Sequence, residues 1–187
     1  MTLADAPATA PERVAAIAPV PAPEPADETP TGGLAIILYS GDLEKTWAAM
    51  ILASTSGAMG TPTKVFVTFW GLQTFVRPAV RITGENWMQK MMSAMQRPGI
   101  AHRKLSTMNF LGMGPWMMRK LARQYGVASP KELLEAAQAM RVEFIPCQMT
   151  MDMFGLKPED MIEGMGEPAG AATVIGLITE DSTPLFI

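Results

Sequence analysis

Cys147 is the only cysteine among the 187 residues, and it sits between two different patterns. Before it, Val142, Phe144 and Ile145 form a short β-branched and aromatic run that reads as a buried strand. After it, Gln148 to Phe154 contain neither Gly nor Pro and are closed by Gly155, the pattern of a short helix with a glycine stop. A strand feeding a helix puts the sulfur at the strand's carboxyl end, the edge where open α/β sheets bind ligands. Unpaired N–H groups at a helix amino end favour thiolate over thiol. The chemistry on offer is attack by a sulfur anion. With no second cysteine the chain cannot close an internal disulfide, so any disulfide or persulfide needs a partner molecule. The competing role is that of a small buried hydrophobe.

Other reactive side chains are sparse. His102, the only histidine, could serve Cys147 as a base, but no spacing argument joins them; beside Arg103 and Lys104 it reads as a surface residue. One Cys and one His leave no Cys/His zinc site. Ser40-Gly41-Asp42 could hold an anion at a helix amino end, with Asp42 as its N-cap. Asp152 reads as a polar-face residue of the helix after the cysteine. Gly57-Ala-Met-Gly60 follows a helix instead of joining strand to helix, so it is no dinucleotide fingerprint. No P-loop, Gly-x-Ser-x-Gly elbow or His-Glu-x-x-His pair occurs.

The formal charge of −3 predicts neither nucleic-acid nor membrane binding, but the charge is unevenly spread. From Asn86 to Lys131 there is no Asp or Glu, while Lys90, Arg97, Arg103, Lys104, Arg119, Lys120, Arg123 and Lys131 lie among Trp87, Trp116 and many methionines. The first six are candidates for a surface that meets an acidic partner, with adaptable methionines as contact material. Anionic lipid headgroups, a subunit interface and a merely solvated basic face over a Met-filled core are the alternatives.

The elements that must position these residues alternate. Residues 1–31 are Ala/Pro-rich with scattered acids and read as a semi-extended tail ahead of one domain, 32–187. Leu34–Tyr39 is a continuous apolar run, the pattern of a central parallel strand. Leu43, Trp47, Met50 and Ile51 then recur at helical spacing up to Gly57–Gly60. Lys64–Phe69 is a second strand, followed by Trp70-Gly71, and Val80–Thr83 suggests a further short one. Met88, Met91, Met92 and Met95 form a helical stripe, and residues 100–114 read as a loop. Pro115 suits a first helical position with Gly126 as the stop. Ser129-Pro130-Lys131-Glu132 matches a capping box, with Leu133, Ala137 and Met140 on the inner face of its helix. A short helix opened by Pro158-Glu159-Asp160, another at Ala169–Thr179 and a strand at Pro184–Ile187 complete an α/β chain with a parallel sheet. No apolar run reaches the ~20 residues of a membrane span and no secretory signal opens the sequence, so a reducing cytoplasm is expected.

Four segments together resemble the DsrE/DsrF-like family: Leu38-Tyr-Ser-Gly-Asp42, Phe69-Trp-Gly-Leu72, Cys147-Gln-Met-Thr-Met-Asp-Met-Phe-Gly155 and Leu185-Phe-Ile187. The nearest likeness is to its Met-rich subgroup often labelled peroxiredoxin-like, and it covers about residues 33 to 187. The resemblance implies a flavodoxin-like three-layer sandwich with a mainly parallel sheet, and homo-oligomers (trimers, tetramers or hexamers). It implies a sulfur-relay role, as a sulfurtransferase or sulfur carrier, in which Cys147 holds a persulfide or thiosulfonate. Exchange would be with a TusA-like carrier or a rhodanese, without redox cofactor or metal. Ser40, Gly41, Asp42, Trp70, Gly71 and Gln148 would shape the substrate pocket. Some relatives carry a further cysteine; this chain does not, which removes any two-thiol mechanism within one subunit. The reading from another class is a non-catalytic adaptor whose basic Met/Trp surface binds an acidic protein or a membrane, with Cys147 structural. A one-cysteine peroxidase is a third reading, without residues to polarise a peroxide.

Overall fold

Strand β1 (Gly33–Leu38) is apolar on both sides because it lies inside the sheet, hydrogen-bonded to a neighbour on each edge. The computed structural model describes residues 32–80, 87, 98–107, 109–178 and 182–187. After β1 come helix α1 (Leu43–Ala58), strand β2 (Thr63–Val67) and the one-turn helix α2 (Phe69–Leu72). Tight turns at Gln73–Phe75, Ile100–His102 and Phe110–Gly112 precede α3 (Met113–Gln124) and α4 (Pro130–Ala139). Strand β3 (Glu143–Pro146), α5 (Gln148–Phe154), α6 (Ala171–Leu177) and β4 (Ser182–Phe186) follow. The sheet runs β3-β2-β1-β4, and every pairing is parallel. The free edge of β3 is covered by an extended run, with Met165 bridging Phe144 and Ala169 bridging Cys147.

Alternation of side chains along the strands gives the sheet two apolar faces. On the first, Ile36, Leu38, Val65, Val67 and Phe144 pack against Ala49, Met50 and Ala53 of α1 and Leu134 and Ala137 of α4; Met151 and Phe154 of α5 join the same core. On the second, Phe66, Ile145 and Cys147 pack against Val174 of α6. Burying each Val, Leu, Ile, Phe or Met among them stabilises the fold by roughly 1.5–3 kcal/mol. The expected α/β sandwich with a parallel sheet is what forms.

Local rules written in the sequence close most elements. Ser129 and Glu132 make the reciprocal capping box, Ser129 N–H donating to the Glu132 carboxylate at 2.7 Å and Glu132 N–H to the Ser129 hydroxyl at 3.3 Å. Past α3, Gly126 takes φ 69°; its N–H reaches the Arg123 carbonyl at 3.3 Å and that of Val127 the Ala122 carbonyl at 2.8 Å, as a glycine stop requires.

Other details differ from the sequence reading. Pro115 is the third residue of α3, not the first, because Gly112 at φ 96° turns the chain into the helix earlier; within the first turn a missing N–H still costs no hydrogen bond. The 100–114 stretch holds two tight turns and the start of α3. On α4, Leu134 and Ala137 are buried while Leu133 is half-buried, and Met140 is exposed because the helix ends at Ala139. Asp42 occupies the N-cap position of α1, but its carboxylate accepts from the Ser40 hydroxyl and Lys45, both at 2.9 Å, and caps no amide. The tail 1–31, the Met88–Met95 stripe and Arg81–Thr83 of the suggested short strand lie outside the described residues. Among those described, no helix is long and apolar enough to cross a membrane.

Candidate functional site

Two strand ends and one short helix build the surroundings of Cys147. The cysteine is the N-cap of α5, and its N–H donates to the Val67 carbonyl at 2.9 Å, tying it to the end of β2. Gly155 at φ 65° closes α5, with Leu156 N–H on the Met151 carbonyl at 2.9 Å. One residue beyond β2, Thr68 places its hydroxyl 3.0 Å from that of Thr150, in the first turn of α5. The Phe69 N–H donates to the Thr150 oxygen at 3.2 Å, reached because Phe69 adopts φ 45°, an unusual conformation for an aromatic residue. Such strain persists only where the surroundings enforce it.

These groups set the charge of the sulfur. Cys147 is only 4% exposed, and that burial alone pushes the thiol up. Opposing it are the hydroxyls of Thr150 and then Thr68, followed by the amides of Thr150 and Met149; together they bring the thiol below its ordinary range. The two amides act as the positive end of the first turn of α5, not as a closed capping hydrogen bond. One of the two threonine hydroxyls donates to the other. A thiolate can accept from both. The arrangement therefore favours a sulfur anion in a nearly dry setting.

Strand order reverses between β1 and β4, where open sheets usually bind ligands, but Cys147 lies at the other end of the sheet, after β3. The Tyr39 and Ser40 N–H groups both donate to the Ile187 carbonyl at the reversal, at 2.9 and 3.4 Å, and Tyr39 stacks on Phe186 at 4.9 Å.

The other expected pocket residues divide. Trp70 stacks on Phe154 of α5 at 5.6 Å, so it belongs to the wall beside the cysteine helix. Gly71 donates its N–H to the Tyr39 carbonyl at 2.9 Å, and a Cβ there would run into the Leu38 carbonyl oxygen. A Cβ on Gly41 would stand 2.6 Å from the Trp70 carbonyl oxygen. The two glycines thus let the turns after β1 and β2 lie against each other. Ser40 and Asp42 bond to one another on that turn, two strands away from the cysteine. Gln148 points along α5 to Asp152, its Nε2 donating at 2.7 Å, and Asp152 is exposed as expected. His102 binds the Pro98 carbonyl through Nδ1 at 3.0 Å, and no described contact links it to the thiol.

The basic segment also divides. Arg103 is buried, its Nε donating to the Gly99 carbonyl at 3.3 Å; burial lowers its pKa and Asp42 works against that. Half-buried Arg119 donates to the Ala101 and Arg103 carbonyls at 2.8 and 3.3 Å, and burial, then Arg123, lowers its pKa. Arg103 thus bonds within the 98–104 segment, and Arg119 ties that segment to α3. Lys104 and Lys120 are exposed, and Lys120 lies 5.1 Å from the centre of the Trp116 ring. Lys90 and Arg97 lie outside the described residues.

Sequence reasoning missed Thr68 and Thr150. The Cys-x-x-Thr spacing was the available signal for Thr150, since it puts the hydroxyl in the helix turn the cysteine caps. Thr68 had none. Among the described residues no group of three His, Cys, Asp or Glu could hold a metal ion.

Comparison with known proteins shows what the chain is similar to. Residues 31–186 match the DsrE/DsrF/DrsH-like family. The sulfur carrier protein DsrE2 of Allochromatium vinosum is 36% identical over 157 residues, 82% of this chain and 97% of that one. The uncharacterized protein YrkE of Bacillus subtilis is 34% identical over 152 residues, 81% and 94% of the two chains. Among solved structures, the ychN protein of E. coli aligns with 83% of this chain and 99% of its own at 13% identity and a TM-score of 0.46. On the family match and the two relatives, this chain belongs to the DsrE/DsrF/DrsH-like family.

Proposed function

We propose that the protein is a sulfur-relay protein that carries sulfur on Cys147. The observation behind this is the thiol's lowered pKa: two threonine hydroxyls and the first amides of α5 outweigh the cost of burying a sulfur anion. The sulfur-carrier relative supports the same role. The Cys147 thiolate attacks the sulfur joined to the donor's own cysteine sulfur. That donor S–S bond breaks, its electron pair leaves with the donor thiolate, and a new S–S bond forms on Cys147. The group carried is terminal sulfur in a persulfide or a thiosulfonate, and an acceptor thiolate removes it by the reverse step, with no net oxidation. Donor and acceptor would be a TusA-like carrier and a rhodanese, and a cytoplasmic, reducing setting would keep the thiol free. Trp70 forms one wall of the approach.

The test is intact mass after incubation with thiosulfate, tetrathionate, polysulfide or a persulfide-loaded carrier. Wild type should gain one sulfur atom or one thiosulfonate group, and Cys147→Ser neither. A wild-type protein that gains no adduct from any donor defeats the proposal.

The adaptor reading has one observation in its favour. Helix α3 buries its small Gly114 and Pro115 and turns Met113, Trp116, Met117 and Leu121 to solvent beside Lys120. A groove of about 330 Å³, lined by Trp47, Ile51, Met118, Leu121, Ala122, Tyr125 and Val127, lies between α3 and α1. That reading expects a slowly alkylated thiol and partner binding unchanged in Cys147→Ala.

A further inference from the structure

We propose that the groove between α3 and α1 binds a small amphipathic acid, its carboxylate on Arg119 and Arg123 and its apolar chain along Leu121, Tyr125 and Ile51. This role is independent of sulfur relay.

Spacing along α3 sets two stripes side by side. Met118, Leu121, Ala122 and Tyr125 recur at helical intervals and make an apolar stripe, while Arg119 and Arg123, four residues apart, make a basic one. The apolar stripe lines the groove of about 330 Å³ together with Trp47 and Ile51 of α1. A second cavity, of about 240 Å³, adjoins it. The two share Trp47, Ala122 and Val127, and the second adds Arg119, Arg123, Ser129 and Glu132. One arm is therefore wholly apolar and the other carries charge. From Met118 to Tyr125 the apolar arm follows α3 for roughly 10 Å at the helical rise. Mostly apolar walls with a few convergent polar groups are the mark of a small-molecule site.

The charged arm identifies the head group. Arg119 uses Nη2 on the Ala101 and Arg103 carbonyls, and Arg123 uses Nε on the Arg119 carbonyl. Among the described residues nothing accepts from Nε or Nη1 of Arg119, or from the terminal nitrogens of Arg123. After burial, the charge of Arg123 is what lowers the Arg119 pKa, so an anion seated between the two relieves their repulsion. Glu132 is the acid of this cavity. It accepts the Ser129 N–H at 2.7 Å in the capping box and forms no ion pair among the described residues. Two guanidinium groups against one carboxylate leave a single positive charge, which suits a monoanion, and the guanidinium fork matches a carboxylate. Lys131, in a further cavity beyond Arg119, is paired with Glu135 at 3.5 Å. A bilayer is a poorer occupant. Its headgroups meet cations that ring an apolar face, whereas half-buried Arg119 lies in line with the apolar arm, inside the groove. Charge and chain end to end describe one free molecule.

The test titrates the full chain calorimetrically with decanoate below micelle formation, with decanol and decyltrimethylammonium as neutral and cationic probes. Decanoate should bind once per chain, decanol roughly tenfold more weakly, and the cation not at all. Arg123→Gln, at an exposed position, should weaken decanoate roughly tenfold and leave decanol unchanged. Ala122→Phe should fill the groove and block both; should it not fold, Arg123→Gln decides. Trp116→Ala, outside both cavities, should change neither affinity. Cys147→Ser should bind as wild type does, so failure here leaves the relay untouched. No heat with decanoate, equal affinity for decanol, or unchanged affinity in Arg123→Gln overturns the proposal. Retention on phosphatidylglycerol vesicles without binding of free decanoate also overturns it, and makes the groove a membrane contact.

Discussion

Replacing Thr150 by valine removes a hydroxyl that favours the Cys147 thiolate and leaves the burial that opposes it. The midpoint of an alkylation-rate profile should therefore move to higher pH, and Thr150→Ser should restore most of the shift. Valine also strands the Phe69 N–H, at a cost of roughly 1–3 kcal/mol, readable in a urea titration. An unmoved midpoint would mean that the threonines do not govern the sulfur. The sign for stability follows from the lowered pKa. Ionisation of Cys147 adds stability that is full above the ordinary thiol pKa of about 8.5 and is lost as pH falls through the lower folded value. Cys147→Ser should remove that part of the pH dependence.

Between residues and the whole lie the turns, and there Gly71 decides whether the strand ends can meet. Alanine at 71 drives a Cβ into the Leu38 carbonyl, so Gly71→Ala should cost about 1–3 kcal/mol in a urea titration. It should also raise the thiol midpoint by displacing Thr68; lost stability with an unchanged midpoint would uncouple the two. Ser129→Ala, which breaks the capping box of α4, should cost about 1 kcal/mol and leave the thiol alone. At this scale much was legible. The apolar run of β1, the Gly155 stop, the Ser129 box and the strand–Cys147–helix order follow local rules, so the sequence states them. What was hidden depends on which strands lie side by side. Thr68 and Thr150 meet only because β2 neighbours β3, and Arg103 is buried only because the 98–104 segment folds back on the body. No periodicity encodes either.

For the molecule as a whole, the thiol at the carboxyl end of β3 and the large exposed apolar residues of α3 beside α1 occupy different places. Trp116→Ala with Lys120→Glu should thus leave the alkylation profile as it was and slow transfer to or from any partner that docks on α3. A changed profile would show that the two regions communicate. The sheet order carries a further consequence, for the order of assembly in time. Pairing β1 with β2 joins residues roughly 30 apart, whereas pairing β1 with β4 joins residues roughly 150 apart, a loop-closure difference of about 1.4 kcal/mol. The strand that finishes the sheet is thus the slowest to find its place. In refolding followed by pulsed hydrogen exchange, the amides of β1 and β2 should become protected before those of β4.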